Sequence, residues 1–439
     1  MLIPAPRLIA LSAALLAAAL AAALLPSIAL LLAACALALV VAAAMDAVRI
    51  ARAPDPRLRR TVSPVLPLGL TREVALDIAN TSARPLVAAV YDFVPAATEV
   101  NGLPRTVQVP AGRQITVKYS LRPVERGLHR FDRAELRIRS PYALWEQRRR
   151  VGSGGEVRVF PNFGEVAKYA LFATDHRLSQ LGVLQRRRRG EGLDFHQLRD
   201  YRAGDSLRQI DWKASNRLRK LVSREYQDER NQNVLFLIDC GRRMSTRDGP
   251  LSHFDHALNA ILLLAYVGLR QGDAVGMMTM GGDALKPPRY LAPGKSAAWL
   301  SRLLNTLFDL QPSLAAPDFL TAASALLGRM RKRALVVIVT NMRDEDTADL
   351  AVALRLLRRH HLVVLASLRE RAVRDMLLKP VRQLSDAIGH AAAADYLMTR
   401  REAFARLAGT GALCLDVEPD ELPLRLVNQY LEIKRAGLL

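Results

Sequence analysis

Val234-Leu-Phe-Leu-Ile-Asp239 and Ala334-Leu-Val-Val-Ile-Val-Thr340 are continuous apolar runs that each close on a polar residue. A strand with one face in water alternates apolar and polar residues, whereas a strand covered on both faces is apolar throughout. Ala274-Val-Gly-Met-Met-Thr-Met280, Leu362-Val-Val-Leu-Ala-Ser367 and Ala412-Leu-Cys-Leu-Asp-Val417 read the same way, with helical stretches between the runs at 256–270, 297–308, 319–331 and 347–359. This alternation predicts a doubly wound α/β domain with a mainly parallel sheet over 233–439. Ligands of such sheets bind beyond the carboxyl ends of the strands, so Asp239 with its following loop and Thr340-Asn341 are candidate site residues. No GxGxxG, GxxxxGK[ST] or GxSxG follows these strands, which removes the usual nucleotide and serine-hydrolase signatures.

Immediately upstream, residues 161–232 form a linker and an arm whose core reads Glu191-Gly-Leu-Asp-Phe-His-Gln-Leu-Arg-Asp-Tyr-Arg-Ala-Gly-Asp-Ser-Leu-Arg-Gln-Ile-Asp-Trp-Lys-Ala-Ser-Asn-Arg217. Acids, bases and aromatics alternate too densely for a core and too regularly for a plain linker. Its candidate binding residues are Arg199, Tyr201, Gly204, Asp205, Arg208, Asp211, Trp212, Lys213, Ser215 and Arg217. In the purely structural reading, Phe195, Leu198, Tyr201, Ile210 and Trp212 pin an irregular arm onto the α/β domain. Arg199, Arg208 and Arg217 then pair with Asp200, Asp205 and Asp211. Two further readings stand beside it. His196, Asp205, Asp211 and Ser215 are the residue types of a nucleophile and base set, although spacing alone does not bring them together. Arg186 to Arg189 with Tyr201 and Trp212 are the residue types of a nucleic-acid surface, but the interleaved acids repel phosphate.

The first fifty positions have another character. From Leu8 to Val48 only Ser12, Pro26, Ser27 and Asp46 interrupt an apolar run, which divides at Pro26-Ser27 into two halves of nearly spanning length. Residues 1–50 are therefore expected to form a transmembrane helix hairpin. Arg7 precedes it, Arg49, Arg52, Arg57, Arg59 and Arg60 follow it, and the turn is uncharged, so both ends should face the cytoplasm. The competing reading is a cleaved signal sequence over 8–25, leaving 27–45 as the sole anchor. After Ala53-Pro-Asp-Pro56, residues 62–160 carry short alternating runs such as Glu73-Val-Ala-Leu-Asp-Ile-Ala79 and Gln114-Ile-Thr-Val-Lys-Tyr-Ser-Leu121, separated by turn residues. That pattern predicts an immunoglobulin-like β-sandwich.

The 439 residues carry a formal net charge of +21, which suits an anionic membrane surface or nucleic acid and by itself decides between neither. Three cysteines, Cys35, Cys240 and Cys414, show no CxxC spacing, so neither a zinc site nor a disulfide framework is implied and no cofactor is expected.

The order of parts, together with Leu198-Arg-Asp-Tyr-Arg-Ala-Gly-Asp205, Arg208-Gln-Ile-Asp-Trp-Lys-Ala-Ser215, Arg217 and Leu221 to Glu225, resembles a bacterial family known as domain of unknown function 58. Asn216 stands where such sequences more often carry a small residue. The resemblance implies a non-enzymatic membrane adaptor or scaffold working with a MoxR-type AAA ATPase in protein assembly or maturation. Its implied partners are that ATPase, the bilayer and other membrane or client proteins. The α/β part resembles a von Willebrand factor type A domain, a fold that commonly holds a divalent ion through Asp-x-Ser-x-Ser, a distant Thr and a distant Asp. Here the positions read Asp239, Gly241, Arg243, Thr340 and Asn341, so the resemblance implies a degraded metal site. Arg243 is expected to occupy the ion's place and pair with Asp239, helped by Asn341.

Overall fold

The computed structural model describes residues 1–22, 29–162, 164, 194–202, 207, 210–227, 232–281, 287–296 and 298–438. They form two compact units, Met1–Phe160 and Pro161–Leu439.

The first unit opens with β1 (Leu2–Pro4), α1 (Pro6–Ala22) and α2 (Ala29–Ala51). Its further strands are β2 (Arg57–Thr61), β3 (Val65–Pro67), β4 (Arg72–Ala79), β5 (Leu86–Tyr91), β6 (Thr98–Asn101), β7 (Arg105–Val109), β8 (Gln114–Pro123), β9 (Gly127–Phe131), β10 (Ala134–Arg139), β11 (Trp145–Val151) and β12 (Gly155–Phe160). One sheet runs β2-β4-β8-β6, a second β1-β11-β10-β5-β7, and a small third β3-β12-β9. Because side chains alternate across a strand, Val74, Leu76 and Ile78 of β4 and Val117, Tyr119 and Leu121 of β8 are buried together. Asp92, just beyond β5, accepts a hydrogen bond from the Tyr119 hydroxyl at 2.7 Å and from Arg60 of β2, joining the two larger sheets through a buried ion pair.

Of the two apolar helices, α2 has 23 residues and is long and apolar enough to cross a membrane. The 17 residues of α1 span about 25 Å at 1.5 Å each, short of the ~30 Å hydrocarbon layer. Leu16, Leu20, Leu30, Leu31, Leu37 and Val40 all point outward, an apolar exposure unlike that of an ordinary soluble surface.

The outer ends of both helices are docked on the β-domain. The Ala5 amide donates to Leu144 O, and the Trp145 indole Nε1 donates to Ala43 O at 2.8 Å. Asp46, fully buried in α2, accepts from the Ser140 hydroxyl and from the amides of Tyr142 and Leu144. Arg149 of β11 donates to Ile50 O at 2.7 Å, Ala53 O at 2.8 Å and the Asp55 carboxylate at 2.7 Å, satisfying carbonyls that the end of α2 leaves open. A cation at a helix carboxyl end is also favoured by the helix dipole.

The second unit begins with a hairpin, β13 (Asp194–Asp200) and β14 (Val222–Gln227), with α3 (Trp212–Leu218) between its arms. The α/β body follows: β15 (Asn233–Asp239), β16 (Arg247–Asp248), β17 (Leu251–Ser252), α4 (His253–Arg270), β18 (Ala274–Met280), β19 (Tyr290–Gly294), α5 (Trp299–Leu307) and α6 (Phe319–Arg329). It continues with β20 (Leu335–Thr340), α7 (Thr347–Arg358), β21 (Leu362–Leu368), α8 (Arg371–Leu378), α9 (Leu384–Ala408), β22 (Leu413–Val417) and α10 (Leu422–Arg435).

Six strands form one sheet in the order β19-β18-β15-β20-β21-β22, parallel except for the edge strand β19. Val234, Phe236 and Ile238 of the central strand pack beneath α4 and α10, while Leu235 and Leu237 pack beneath α6, α7 and α9. Both faces are covered, which is why these runs carry no polar alternation.

All five apolar runs are strands, and the four helical stretches are helices. The edge strand β19, the pair α8 and α9, α10 and the hairpin strands were not expected. The upstream arm is thus a correction: where described, it is an ordered hairpin carrying a short helix, because its backbone groups pair in register, Leu198 with Arg224 and Asp200 with Val222.

Arg149→Ala should lower the stability of the detergent-solubilised chain by about 2–3 kcal/mol, since it leaves buried carbonyls without donors. Thermal unfolding followed by circular dichroism checks this; an unchanged Tm would show that α2 is not held by Arg149.

Candidate functional site

The C-terminal ends of β15, β20, β21 and β22 carry Asp239, Thr340, Glu370 (two residues past β21) and Asp416. In a parallel sheet these ends open on one crevice. Asp239 is 1% exposed and both of its oxygens are used. Oδ1 accepts from the Gly241 amide at 2.7 Å and Oδ2 from the Thr340 hydroxyl at 2.7 Å. A Cβ on Gly241 would lie 2.9 Å from Asp239 Oδ1 and 2.9 Å from Ala315 O, so the backbone comes this close only because residue 241 is glycine. Gly281, in the left-handed region at φ +67, closes the other side, its missing Cβ 3.2 Å from the same oxygen. Burial pushes the Asp239 carboxyl up to about 6, with the nearby Asp346 adding to the rise; the bonds from Thr340 and Gly241 and the charge of Arg243 oppose it.

Arg243 does not pair with Asp239. Its guanidinium binds the carboxylates of Asp346 and Glu345, the residues just before α7. The reason is solvation: those acids are partly exposed, whereas moving the cation beside Asp239 would desolvate it against a carboxylate already satisfied by two neutral donors. Asn341 does not assist Asp239 either. Its Nδ2 lies 3.0 Å from Glu370 Oε1, to which it donates, and 3.2 Å from His253 Nδ1. The tautomer in which Nδ1 accepts from Asn341 and Nε2 donates to Asp248 Oδ2, 2.9 Å away, satisfies both ring nitrogens, while the buried Asn341 Oδ1 has no hydrogen-bond partner among the described residues.

Glu370 is the hub of this second cluster. Arg343 donates to its Oε1 at 2.7 Å and Tyr396 of α9 to its Oε2 at 3.0 Å. Burial alone would raise its carboxyl, but the bonds from Asn341 and Tyr396 and the Arg343 charge together hold it below the ordinary glutamate value. Arg400, also on α9 and 3% exposed, closes the crevice. It donates to Met342 O at 2.6 Å, Ser367 Oγ at 2.9 Å, Leu368 O at 2.9 Å and Asp416 Oδ1 at 2.8 Å. None of His253, Asp248, Glu370, Arg343, Tyr396, Arg400 and Asp416 was singled out in the sequence. The signal for Glu370 was available, since it is an acid following an apolar strand, as Asp239 ends one.

A divalent ion does not fit these residues. Gly241 contributes no side-chain oxygen, Arg243 brings a cation held by its own acids, and both oxygens of Asp239 already accept hydrogen bonds, from the Gly241 amide and the Thr340 hydroxyl. Among the described residues no group of three His, Cys, Asp or Glu side chains converges to hold a metal.

In the hairpin, Asp211 is the N-cap of α3: Oδ1 accepts from the Ala214 amide at 3.0 Å and Oδ2 from Arg224 at 2.9 Å. The Ala214 bond first, then Arg224, lowers its carboxyl below the ordinary value. Ser215, 7% exposed, accepts from the Val222 amide at 2.9 Å through Oγ, so its hydroxyl locks α3 to β14. The expected pairing of Arg217 with Asp211 is replaced by Arg224, which lies opposite on β14, and Asp200 pairs with Lys220 at 2.7 Å. Ile210 is buried as expected, but Trp212 is 66% exposed and pins nothing. At N1 of a two-turn helix whose inner face is Ala214 and Ser215, its ring has no core to enter. Lys213 and Arg217 are exposed, Tyr201 is half-buried, and Arg199 donates to Asp200 O. Gly204, Asp205, Arg208, the Arg186 to Arg189 run and the side chains of Phe195 and His196 lie outside the described residues.

With this geometry the comparisons can be placed. Residues 197–389, from β13 into α9, match the family described as Protein of unknown function DUF58. Uncharacterized protein YeaD of Bacillus subtilis (strain 168) is 23% identical over 179 residues, 39% of this chain and 40% of the relative. The chain thus matches less than half the length of that curated relative. Among solved structures, an aerotolerance-related membrane protein from Bacteroides fragilis NCTC 9343 with multiple mutations to serines is 16% identical, covering 46% of this chain and 98% of that one with a TM-score of 0.29. Salmonella alpha-2-macroglobulin reacted with methylamine is 17% identical over 24% of this chain and 7% of that one, with a TM-score of 0.19. Superpositions this loose carry no functional argument.

Asp239→Asn tests the buried carboxyl. Its folded pKa lies above the unfolded value of 3.8, so the native state binds the extra proton and this group's contribution to stability falls as pH rises from about 4 to 6. The variant should lose that component, on the order of 1–3 kcal/mol, in denaturant unfolding at pH 4.5 and 7. Parallel pH dependence in the two proteins would refute it.

Proposed function

We propose that the chain is a membrane-anchored, non-enzymatic adaptor, with a von Willebrand factor A-like domain whose strand-end crevice serves as a docking face. The observation that carries this reading is the closure of the crevice by its own side chains: Asp239, Glu370, Asp416, Arg243 and Arg400 all take partners within the domain. A site built for turnover needs a group held ready for the substrate. In this reading the crevice is a rigid contact surface, rimmed by the exposed acids Asp344 and Glu345.

The sheet order, with its antiparallel edge strand, supports the von Willebrand factor A-like assignment. The buried alternation and turn-rich strands of the first unit support an immunoglobulin-like sandwich. For the anchor, α2 is the crossing helix, and the docking of the outer ends of α1 and α2 on one β-domain supports a hairpin with both ends on one side. The arginines after α2 support reading that side as the cytoplasmic face of a bacterial inner membrane. The partner implied by the family resemblance is a MoxR-type AAA ATPase acting on membrane or client proteins.

Two measurements test the proposal. Full-length protein in detergent should capture a co-expressed MoxR-type ATPase, and Asp344→Lys should reduce that capture at least tenfold while leaving the Tm unchanged. Undiminished capture by the folded variant would move docking away from this rim. Calorimetric titration with Mg²⁺ should give no saturable heat; a micromolar affinity abolished in Asp239→Ala would overturn the closed-crevice reading.

A further inference from the structure

The hairpin joins two features that the docking face does not use. Trp212 is 66% exposed, Leu218 50% and Leu221 48%, and Lys213, Arg217, Arg219 and Lys220 are exposed around them. These residues form one local surface. The Asp211 amide donates to Val222 O at 2.9 Å and the Ser215 hydroxyl holds the Val222 amide, fixing the start of α3 beside the end of the turn at Leu221. Arg219, in the left-handed conformation at φ +50, ends α3 and turns the chain back toward β14. Lys213 and Arg217 are spaced i and i+4, which places them along one side of α3.

The charge of this surface is mainly positive, with Asp200 its exposed acid, paired to Lys220. Residues 198–224 hold eight Lys and Arg against three Asp and Glu, and Asp211 is turned inward as the cap of α3 and the partner of Arg224. An exposed indole with short aliphatic side chains, ringed by Lys and Arg, is the composition of a surface that enters the headgroup layer of an anionic bilayer. We propose that α3 and the following turn are a second membrane contact, with Trp212 seated among the headgroups and Lys213, Arg217 and Arg219 bound to acidic phospholipid phosphates. The proposal rests on the reading that α2 crosses a membrane. A chain held at a bilayer by α2 meets that surface at high effective concentration, which favours lipid over a freely diffusing acidic protein as the occupant. The rigid capping of α3 fits this role, because a platform formed in advance loses little freedom on binding.

The experiment reconstitutes the full chain in nanodiscs of phosphatidylcholine alone or with about one third phosphatidylglycerol, each with and without brominated acyl chains. The signal read is the tryptophan emission of wild type minus that of Trp212→Phe. This Trp212 component should shift to the blue and be quenched at least twofold more in anionic discs. High salt or Lys213→Gln with Arg217→Gln should remove the difference. All three substitutions are at exposed positions, and unchanged Tm values confirm the fold. Equal quenching in both disc types overturns the proposal. So does a Trp212 component that stays solvent-like in anionic discs and shifts only when an acidic protein such as the ATPase is added. Failure of the chain to incorporate into any disc refutes the anchor reading separately. In that event the same emission read with added phosphatidylglycerol vesicles decides the hairpin contact.

Discussion

Desolvation at the carboxyl ends of the parallel strands is the constraint on which the second unit depends. Parallel strands direct polar groups into one crevice, and this chain adds Asp239, Glu370 and Asp416 there. Buried carboxylates are tolerated only when each finds donors. Asp239 takes a backbone amide and a hydroxyl, Glu370 takes an amide side chain, a guanidinium and a phenol, and Asp416 takes Arg400. Because Arg400 reaches from α9 to the ends of β21 and β22 and to the loop after β20, the same bonds that neutralise the acids also fix α9 on the sheet.

The first unit applies the same rule at a different boundary. A helix apolar enough to cross a membrane ends with open carbonyls, and here they meet Arg149, while Asp46 meets a hydroxyl and two amides of the β-domain. The C-terminal end of α2 is consequently packed on the β-domain through β11 and the turn that precedes it.

The hairpin shows how two roles share a short segment. Its inward residues, Asp211, Ser215 and Arg224, build and cap α3, and its outward ones, Trp212, Lys213 and Arg217, are left to solvent or to a ligand. From sequence, Trp212 was expected to pin the segment and Arg217 to pair with Asp211, whereas Trp212 is exposed and Arg224 takes Asp211. A helix of seven residues is too short to separate the two sets without knowing which side β14 covers.

By itself the amino-acid sequence determined the apolar N-terminal helices, the alternating strands of the first unit and the five buried strands of the second, because each follows from a local period of hydrophobicity. That Gly241 offers no side-chain oxygen and Arg243 brings a cation was legible too, because donor chemistry is written in residue type. Tertiary structure alone decided that Arg243 binds Glu345 and Asp346, that Asn341 joins His253 to Glu370, and that Arg400 closes the crevice. Those partners lie from 16 to about a hundred positions apart in sequence, and the choice among many possible acids and bases is made by desolvation and distance, which exist only once the sheet and its helices have packed.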